Sequence, residues 1–290
     1  MKKNSGSENL SPNRIAFRKF RKNKLAMFGL IVIVVLIVVS IAAPVLTPYD
    51  RDKIDMYSME APPSSEHLLG TDEIGRDVLT RLLYGGRVSL AVGILASLAE
   101  IVIGVVLGAV AGFYGGKVDA VIMRITDVIM CFPFFVVAIV LAAIVGPSMV
   151  NLIFIIAILE WTKIARIVRA EVLSLKERDF ITASRSMGLN EFEIILRHIL
   201  PNTFASIMVF ATLAIANGIL TEAALSFLGM GVRPPQPSRG NMLAAAQSMR
   251  VLQYEWWLWI PQGFMVFITV ISINFLGDGL RDALDPKLKT

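Results

Sequence analysis

Two carboxyl groups of this 290-residue chain, Glu100 and Glu222, lie inside apolar runs. An acid at the centre of a membrane costs roughly 2.5–3.5 kcal/mol on insertion scales, so its retention asks for a reason. It either lines a solute path or gate, or it packs between helices in a protonated or hydrogen-bonded form. Packing is the expectation for Glu222, near the end of its run, whereas depth alone leaves Glu100 open to both. A second charged group, Asp72, Arg76 and Asp77 in TDEIGRD, suits an outer gate or a receptor-docking surface. The competing expectation is a capped short helix with local ion pairs, which contribute little when exposed. Asp278, Arg281, Asp282 and Asp285 either contact a cytoplasmic partner or cap the last helix.

No catalytic constellation accompanies these groups. His67 and His198 are the only histidines, and the topology below puts them on opposite sides of a membrane, so they cannot share a metal. His198 suits an interface hydrogen bond better than proton carriage. GFYGGKV is not a phosphate loop, because Ala111 and Val118 stand where glycine and Ser or Thr are needed. Neither HExxH nor GxSxG occurs. Cys131 is the single cysteine, which excludes an internal disulfide. Its place in an apolar run reads as packing.

The elements that must position these groups are membrane helices. Hydrophobic residues make up 55%, mean hydropathy is +0.66, and only 18% of residues are charged, against roughly 25% in soluble domains. Bilayer is the expected solvent. Lys2, Lys3, Arg14, Arg18, Lys19, Arg21, Lys22 and Lys24 crowd the amino terminus just before a long apolar run. That placement marks a cytoplasmic flank rather than a nucleic-acid site. Spans of about 20 residues are expected at 25–44, 88–113, 121–145, 149–165, 203–228 and 256–276. Ser40-Ile41-Ala42 resembles a signal cleavage site, but the apolar run is too long for a signal core, so the first span is read as an uncleaved anchor.

Residues 47–87 read as a connection outside the membrane with short helical pieces, and GMGVRPPQPSRGN as another loop. Trp256, Trp257 and Trp259 are placed like an interfacial belt. Lys163, Arg166, Arg169, Lys176, Arg178, Arg185 and Arg197 lie between spans four and five. Positive-inside orientation puts that connection, with the amino terminus, in the cytoplasm.

The connection contains a polar elbow, DFITASRSMGLNEFEIILRHILPN, at 179–202. Ile181, Ser184, Arg185 and Gly188 fall at helical spacing, with Gly188 suited to a left-handed stop. Asn190 then caps a second short helix, with Glu193 in capping-box position. Phe192, Ile195, Leu196 and Ile199 share one face of it by helical spacing. Pro201 ends that helix or begins the next. The apolar face either packs on the chain's own span ends, lies on headgroups, or enters a partner's groove.

The elbow resembles the EAA loop of bacterial ABC-importer permeases: Glu-Ala-Ala, three residues, Gly, nine residues, Ile, one residue, Leu-Pro. Here the pattern falls on Thr182, Ala183 and Ser184, then Gly188, then His198, Leu200 and Pro201. The glutamate, the second alanine and the isoleucine are replaced, so no charged contact at Thr182 carries over. LGTDEIGRDVLTRLLYGGRVSLAVG, EAALSFLGMGVRPPQPSRGNML and NFLGDGLRDALDP resemble segments of the dipeptide and oligopeptide branch, in the expected order. The chain is thereby identified as a member of the C-type permease subunits of that branch.

The resemblance implies an all-α integral membrane fold: six transmembrane helices, a type I ABC importer transmembrane domain with a cytoplasmic coupling helix. Residues 1–85 would be the basic tail, first span and outer connection, and 86–290 a five-helix core carrying the coupling loop. Thr182, Ala183, Ser184, Gly188, Phe192, Ile195, His198, Leu200 and Pro201 are the expected ATPase-coupling residues. The implied partners are a second homologous permease, two ATP-binding subunits holding ATP and magnesium, an extracytoplasmic substrate-binding protein, peptide substrate and membrane lipid. No nucleic acid and no cofactor of the chain's own are expected. The location would be the bacterial inner membrane with both termini cytoplasmic. Nickel chelates or another small solute are the alternative cargo. A proton-coupled secondary transporter is the rival class, disfavoured by few membrane acids and no visible repeat, and a membrane enzyme ranks third.

Overall fold

The computed structural model describes residues 12–284; Lys2, Lys3, Asp285, Pro286 and the side chain of Arg14 lie outside the described residues. Regular structure among those described is helical apart from one isolated bridge, Thr71 to Asp77. Hydrocarbon offers no water to backbone amides, so an apolar run must close its own hydrogen bonds, as a helix does.

A basic helix, α1 (Pro12–Lys22), leads to α2 (Lys24–Ile41), where Asn23 Oδ1 accepts the Ala26 amide at 3.1 Å. A single turn, α3 (Ala43–Leu46), follows. From there to Asp77 the chain is turns and bends, not the short helical pieces expected. Then α4 (Val78–Tyr114) starts well before residue 88, because Asp77 caps it: Oδ1 accepts the Thr80 amide at 2.7 Å and the Thr80 hydroxyl at 2.6 Å. With 37 residues it is roughly 55 Å long, longer than the roughly 30 Å hydrocarbon core.

The third expected span, 121–145, is not one helix. It forms α5 (Gly116–Met130) and α6 (Phe134–Val145), bent by 87° at Cys131-Phe132-Pro133. Pro133 has no amide to donate and its ring disfavours a straight helical continuation. Cys131 is consequently exposed rather than packed.

Next, α7 (Met149–Leu175) outruns its expected end at Ala165. The elbow comprises α8 (Asp179–Ser186), α9 (Glu191–Ile194) and a π turn (Ile195–Ile199), which passes straight into α10 (Leu200–Phe227). Part of the expected loop after it is α11 (Arg239–Leu243), followed by α12 (Met249–Tyr254) and α13 (Ile260–Leu284). Trp257 is buried with Val78, Val251 and Leu258. Only Trp256 of the expected belt is freely exposed, because the turn at Trp256–Leu258 folds the second ring inward.

Among the described residues four helical stretches are long and apolar enough to cross a membrane: Lys24–Ile41, Val78–Tyr114, Glu191–Phe227 and Trp256–Leu284. The bent pair α5–α6 makes a fifth if it counts as one. Glu160, Lys163 and Arg166 interrupt the apolar run of α7.

The most extensive seam joins α4 to α7, while α13 packs on α2 and α10. Gly104, Gly108 and Gly112, four apart on α4, form that seam. A Cβ on Gly108 would fall 2.5 Å from the Ala165 carbonyl oxygen and 3.0 Å from Val168 Cβ; one on Gly112 would fall 2.8 Å from the Arg169 carbonyl oxygen. Small residues at this spacing let membrane helices bring their backbones together and gain dispersion contact. The seam fixes α7, and α7 leads into the elbow.

Candidate functional site

The elbow hangs from the ends of α4 and α7 by an apolar underside. Ile181, Ile194, Ile195 and Ile199 are buried among Phe113, Val168 and Val172. Burial of each contributes roughly 1.5–3 kcal/mol. Arg185 lies over the Phe113 ring, 5.4 Å from its centre. Ser184 is buried and its hydroxyl donates to the Phe180 carbonyl at 2.8 Å. The helix leading in is tied to α5 by Arg166, which pairs with Asp127 at 2.5 Å, and by a two-point pair of Arg169 with Asp119.

The other surface of the elbow is open and sets large apolar side chains among polar and charged ones. Met187 is 72% exposed, Phe192 68%, and Phe180 and Leu196 are also exposed. The single face expected for Phe192, Ile195, Leu196 and Ile199 is thus divided: Ile195 and Ile199 turn inward, Phe192 and Leu196 outward. The π turn is the reason, since its wider hydrogen bonding alters the rotation between successive side chains. Leu200 N–H donates to the Ile195 carbonyl, and Pro201, at the start of α10, has no amide to restore α-helical bonding.

Gly188 joins α8 to α9 at φ +83°, with no neighbouring atom within reach of an added Cβ. Asn190 Oδ1 accepts the Glu193 amide at 2.8 Å and starts α9. Thr182, Ala183, Gly188 and Pro201 are exposed, and His198 and Leu200 half-buried. Asn202 Nδ2 donates to the His198 carbonyl at 2.5 Å.

The two membrane acids have different surroundings. Glu222 is fully enclosed: Oε2 accepts from Ser89 Oγ at 2.6 Å and Oε1 from Ser226 Oγ at 2.8 Å. Ser89 Oγ also accepts the Arg239 amide at 3.1 Å, and the Arg239 guanidinium donates to Thr269 Oγ1 at 2.6 Å. Four helices, α4, α10, α11 and α13, thereby share one buried polar network. Glu100 instead borders a cavity of about 30 Å³ with Glu160, Lys163 and Asn217, and Lys163 pairs with Glu160 at 2.5 Å.

Asp72, Arg76 and Asp77 stand together at the end of α4 away from the elbow. Arg76 Nε donates to Asp72 at 2.7 Å, while Asp77 caps α4 and bonds His67 Nδ1 at 3.0 Å. Nearby, Arg250 bridges Glu60 and Glu255. Burial, and after it the Glu60 charge, push the Glu255 carboxyl above its ordinary range, with Arg250 opposing them. Asp278, Arg281 and Asp282 are exposed on the last turns of α13. No cluster of metal-ligating side chains occurs among the described residues.

Sequence reasoning passed over Ser89, Arg239 and the glycine stripe of α4. The stripe was readable, as small residues at intervals of four. Arg239 gave no comparable signal, being one polar residue in a Pro- and Gly-rich stretch.

Residues 104–290 match the family described as binding-protein-dependent transport system inner membrane component, and residues 11–63 match the N-terminal TM domain of oligopeptide transport permease C. The dipeptide transport system permease protein DppC of Alkalihalophilus pseudofirmus is 43% identical, across 97% of this chain and 92% of that protein. The oligopeptide transport system permease protein OppC of Bacillus subtilis is 40% identical over the same shares, 97% and 92%. The glutathione transport system permease protein GsiD of Pectobacterium atrosepticum is 43% identical, over 97% and 93%. Among solved structures, a chain of the MetNI methionine ABC transporter, in an inward-facing conformation, superposes with a TM-score of 0.55 at 19% identity, covering 71% of this chain and 97% of that one. That likeness speaks to the fold, an ABC importer transmembrane domain. With both family matches and relatives alike along nearly its whole length, this chain belongs to the inner-membrane components of binding-protein-dependent transport systems, in the dipeptide and oligopeptide permease C branch.

Proposed function

We propose that this chain is one permease subunit of an ATP-driven peptide importer. In this reading α7 crosses the membrane as well, its charges facing protein, and the bent pair crosses once, giving six spans with both termini cytoplasmic. The chain pairs with a second permease, two ATPases bind beneath, and a substrate-binding protein docks above. Glu100 would border the solute path, and Asp72, Arg76 and Asp77 the outer gate.

The observation that carries the proposal is the two-sided elbow: an isoleucine underside fixed to α4 and α7, and an outward patch of Met187, Phe192 and Leu196 open to a partner. A short helix with exposed apolar side chains suits an ATPase groove. Nucleotide closes the ATPases, the elbow moves with them, and α7 carries the motion to the solute path. ATP acts by preferring one of two packings.

The whole complex in proteoliposomes tests this. Peptide uptake should require internal ATP and survive a protonophore; uptake that follows the proton gradient at constant ATP would favour a secondary transporter. Gly188→Val forces a β-branched residue into the left-handed region, costing about 1–3 kcal/mol, without touching a neighbour. Membrane insertion should persist while substrate-stimulated ATPase activity falls about tenfold, the equivalent of some 1.4 kcal/mol; normal stimulation would exclude the coupling role. Phe192→Asp should halve or worse the ATPase that copurifies, with the permease's own stability unchanged. Ile195→Asp, placed in the buried underside, should instead destabilise the permease by about 3 kcal/mol. Equal destabilisation of the permease by the two substitutions would show that both residues face inward.

A further inference from the structure

Between the 47–77 segment and α11–α13 lies a cavity of about 650 Å³, within the roughly 300–1,000 Å³ of small-molecule sites. Val78, Met242 and Leu258 give it an apolar wall. Charges of both signs surround it, and most are satisfied by one another. Arg81, 4% exposed, reaches Asp72 at 3.5 Å, and Arg250 holds Glu60. Three groups keep capacity to spare. Glu73, also at the cavity, makes no ion pair among the described residues. Arg76 engages Asp72 through Nε, and among the described residues no group takes its terminal nitrogens. Gln262 of α13 lies behind the wall, fully buried, and among the described residues neither its amide oxygen nor its nitrogen has a partner. Buried amides are nearly always hydrogen-bonded, so this one asks for a partner.

We propose that the cavity binds a short zwitterionic peptide: its ammonium at Glu73, its carboxylate at the Arg76 terminal nitrogens, and a backbone amide at Gln262, whose side chain turns out of its buried position to meet it. The proposal rests on the peptide-importer reading and adds to it a solute site within a single permease subunit, where α4 and α13 begin. Separated charges of opposite sign reward a ligand carrying both, and the unpartnered amide rewards one with a peptide group between them. An uncharged solute would leave Glu73 and Arg76 without gain.

The permease–ATPase complex, reconstituted without the substrate-binding protein, is dialysed to equilibrium against radiolabelled dialanine. Saturable binding is expected, and Glu73→Gln should weaken it at least about tenfold by removing one charge-assisted hydrogen bond. N-acetyl-dialanine, which lacks the ammonium, should bind more weakly than dialanine and equally well to the wild type and Glu73→Gln. Gln262→Leu should also weaken dialanine binding; because it alters a buried position, the exposed Glu73→Gln decides the matter. No saturable binding by the wild-type complex, or equal dialanine affinity in Glu73→Gln, overturns the site. Uptake of dialanine and of a mixed-peptide pool is measured alongside in proteoliposomes holding the full complex. ATP-dependent uptake with no binding in the cavity removes this inference alone, whereas no uptake of any peptide removes the peptide-importer reading.

Discussion

Gly108→Leu is expected to lower the yield of folded, monodisperse permease about tenfold and to abolish uptake. Its Cβ alone would approach the Ala165 carbonyl oxygen at 2.5 Å and Val168 Cβ at 3.0 Å. The first of these is backbone, so no rotamer change relieves it. Sliding α7 away does not help either, because Gly104 and Gly112 make the same close approach on both sides. Overpacking a well-filled interior costs typically about 1–3 kcal/mol, and three further carbons must also be accommodated here. Each 1.4 kcal/mol lowers the folded-to-unfolded ratio about tenfold, so the summed cost removes much of the roughly 5–15 kcal/mol that keeps a native protein folded. Gly263→Ala is the control, since its Cβ would meet only Leu243, at 3.8 Å. Size-exclusion yield and thermal unfolding in detergent provide the measurement; a wild-type profile for Gly108→Leu would mean that α4 and α7 are not packed this closely.

Arg239→Met should cost about 3 kcal/mol, the lower end for breaking a buried charged network. Arg239 is 1% exposed, and its guanidinium holds Thr269 while its own amide reaches Ser89, the hydroxyl that also bonds Glu222. Methionine fills much of the same space but leaves the Thr269 contact unmade and the enclosed acid without a nearby cation. The double variant Arg239→Met/Glu222→Gln should therefore recover about 1 kcal/mol or more relative to the sum of the singles. Thermal unfolding of all four proteins completes the cycle. Strict additivity would show that Glu222 and Arg239 act independently, and the four-helix network would then be a matter of proximity alone.

Helix type and membrane character were legible because each rests on a local signal. A run such as 25–44 is apolar throughout, and in hydrocarbon only a helix satisfies its backbone. The elbow was legible for a similar reason: Gly188 and Asn190 act on their own backbone, and both take the conformations their chemistry favours. What the sequence obscured depends on partners distant in the chain. The inward turn of Ile195 is set by Val168 and Val172 of α7 together with the π turn, and helical spacing assumes no such turn. Burial of Trp257 depends on Val78, far earlier in sequence. Arg239 has the composition of a loop residue until Ser89 and Thr269 are brought beside it. The 87° bend was missed, since 121–145 was expected as one span although Pro133 within it can break a helix.

The corner between α5 and α6 turns the chain's sole thiol, Cys131, toward the surface. Because the sequence has this one thiol, a bilayer-permeant maleimide fluorophore or spin label attaches at one defined point, with no thiol-free background to build first. Paired with a second probe on the elbow, such a reporter would follow rearrangement of the corner through successive turnovers.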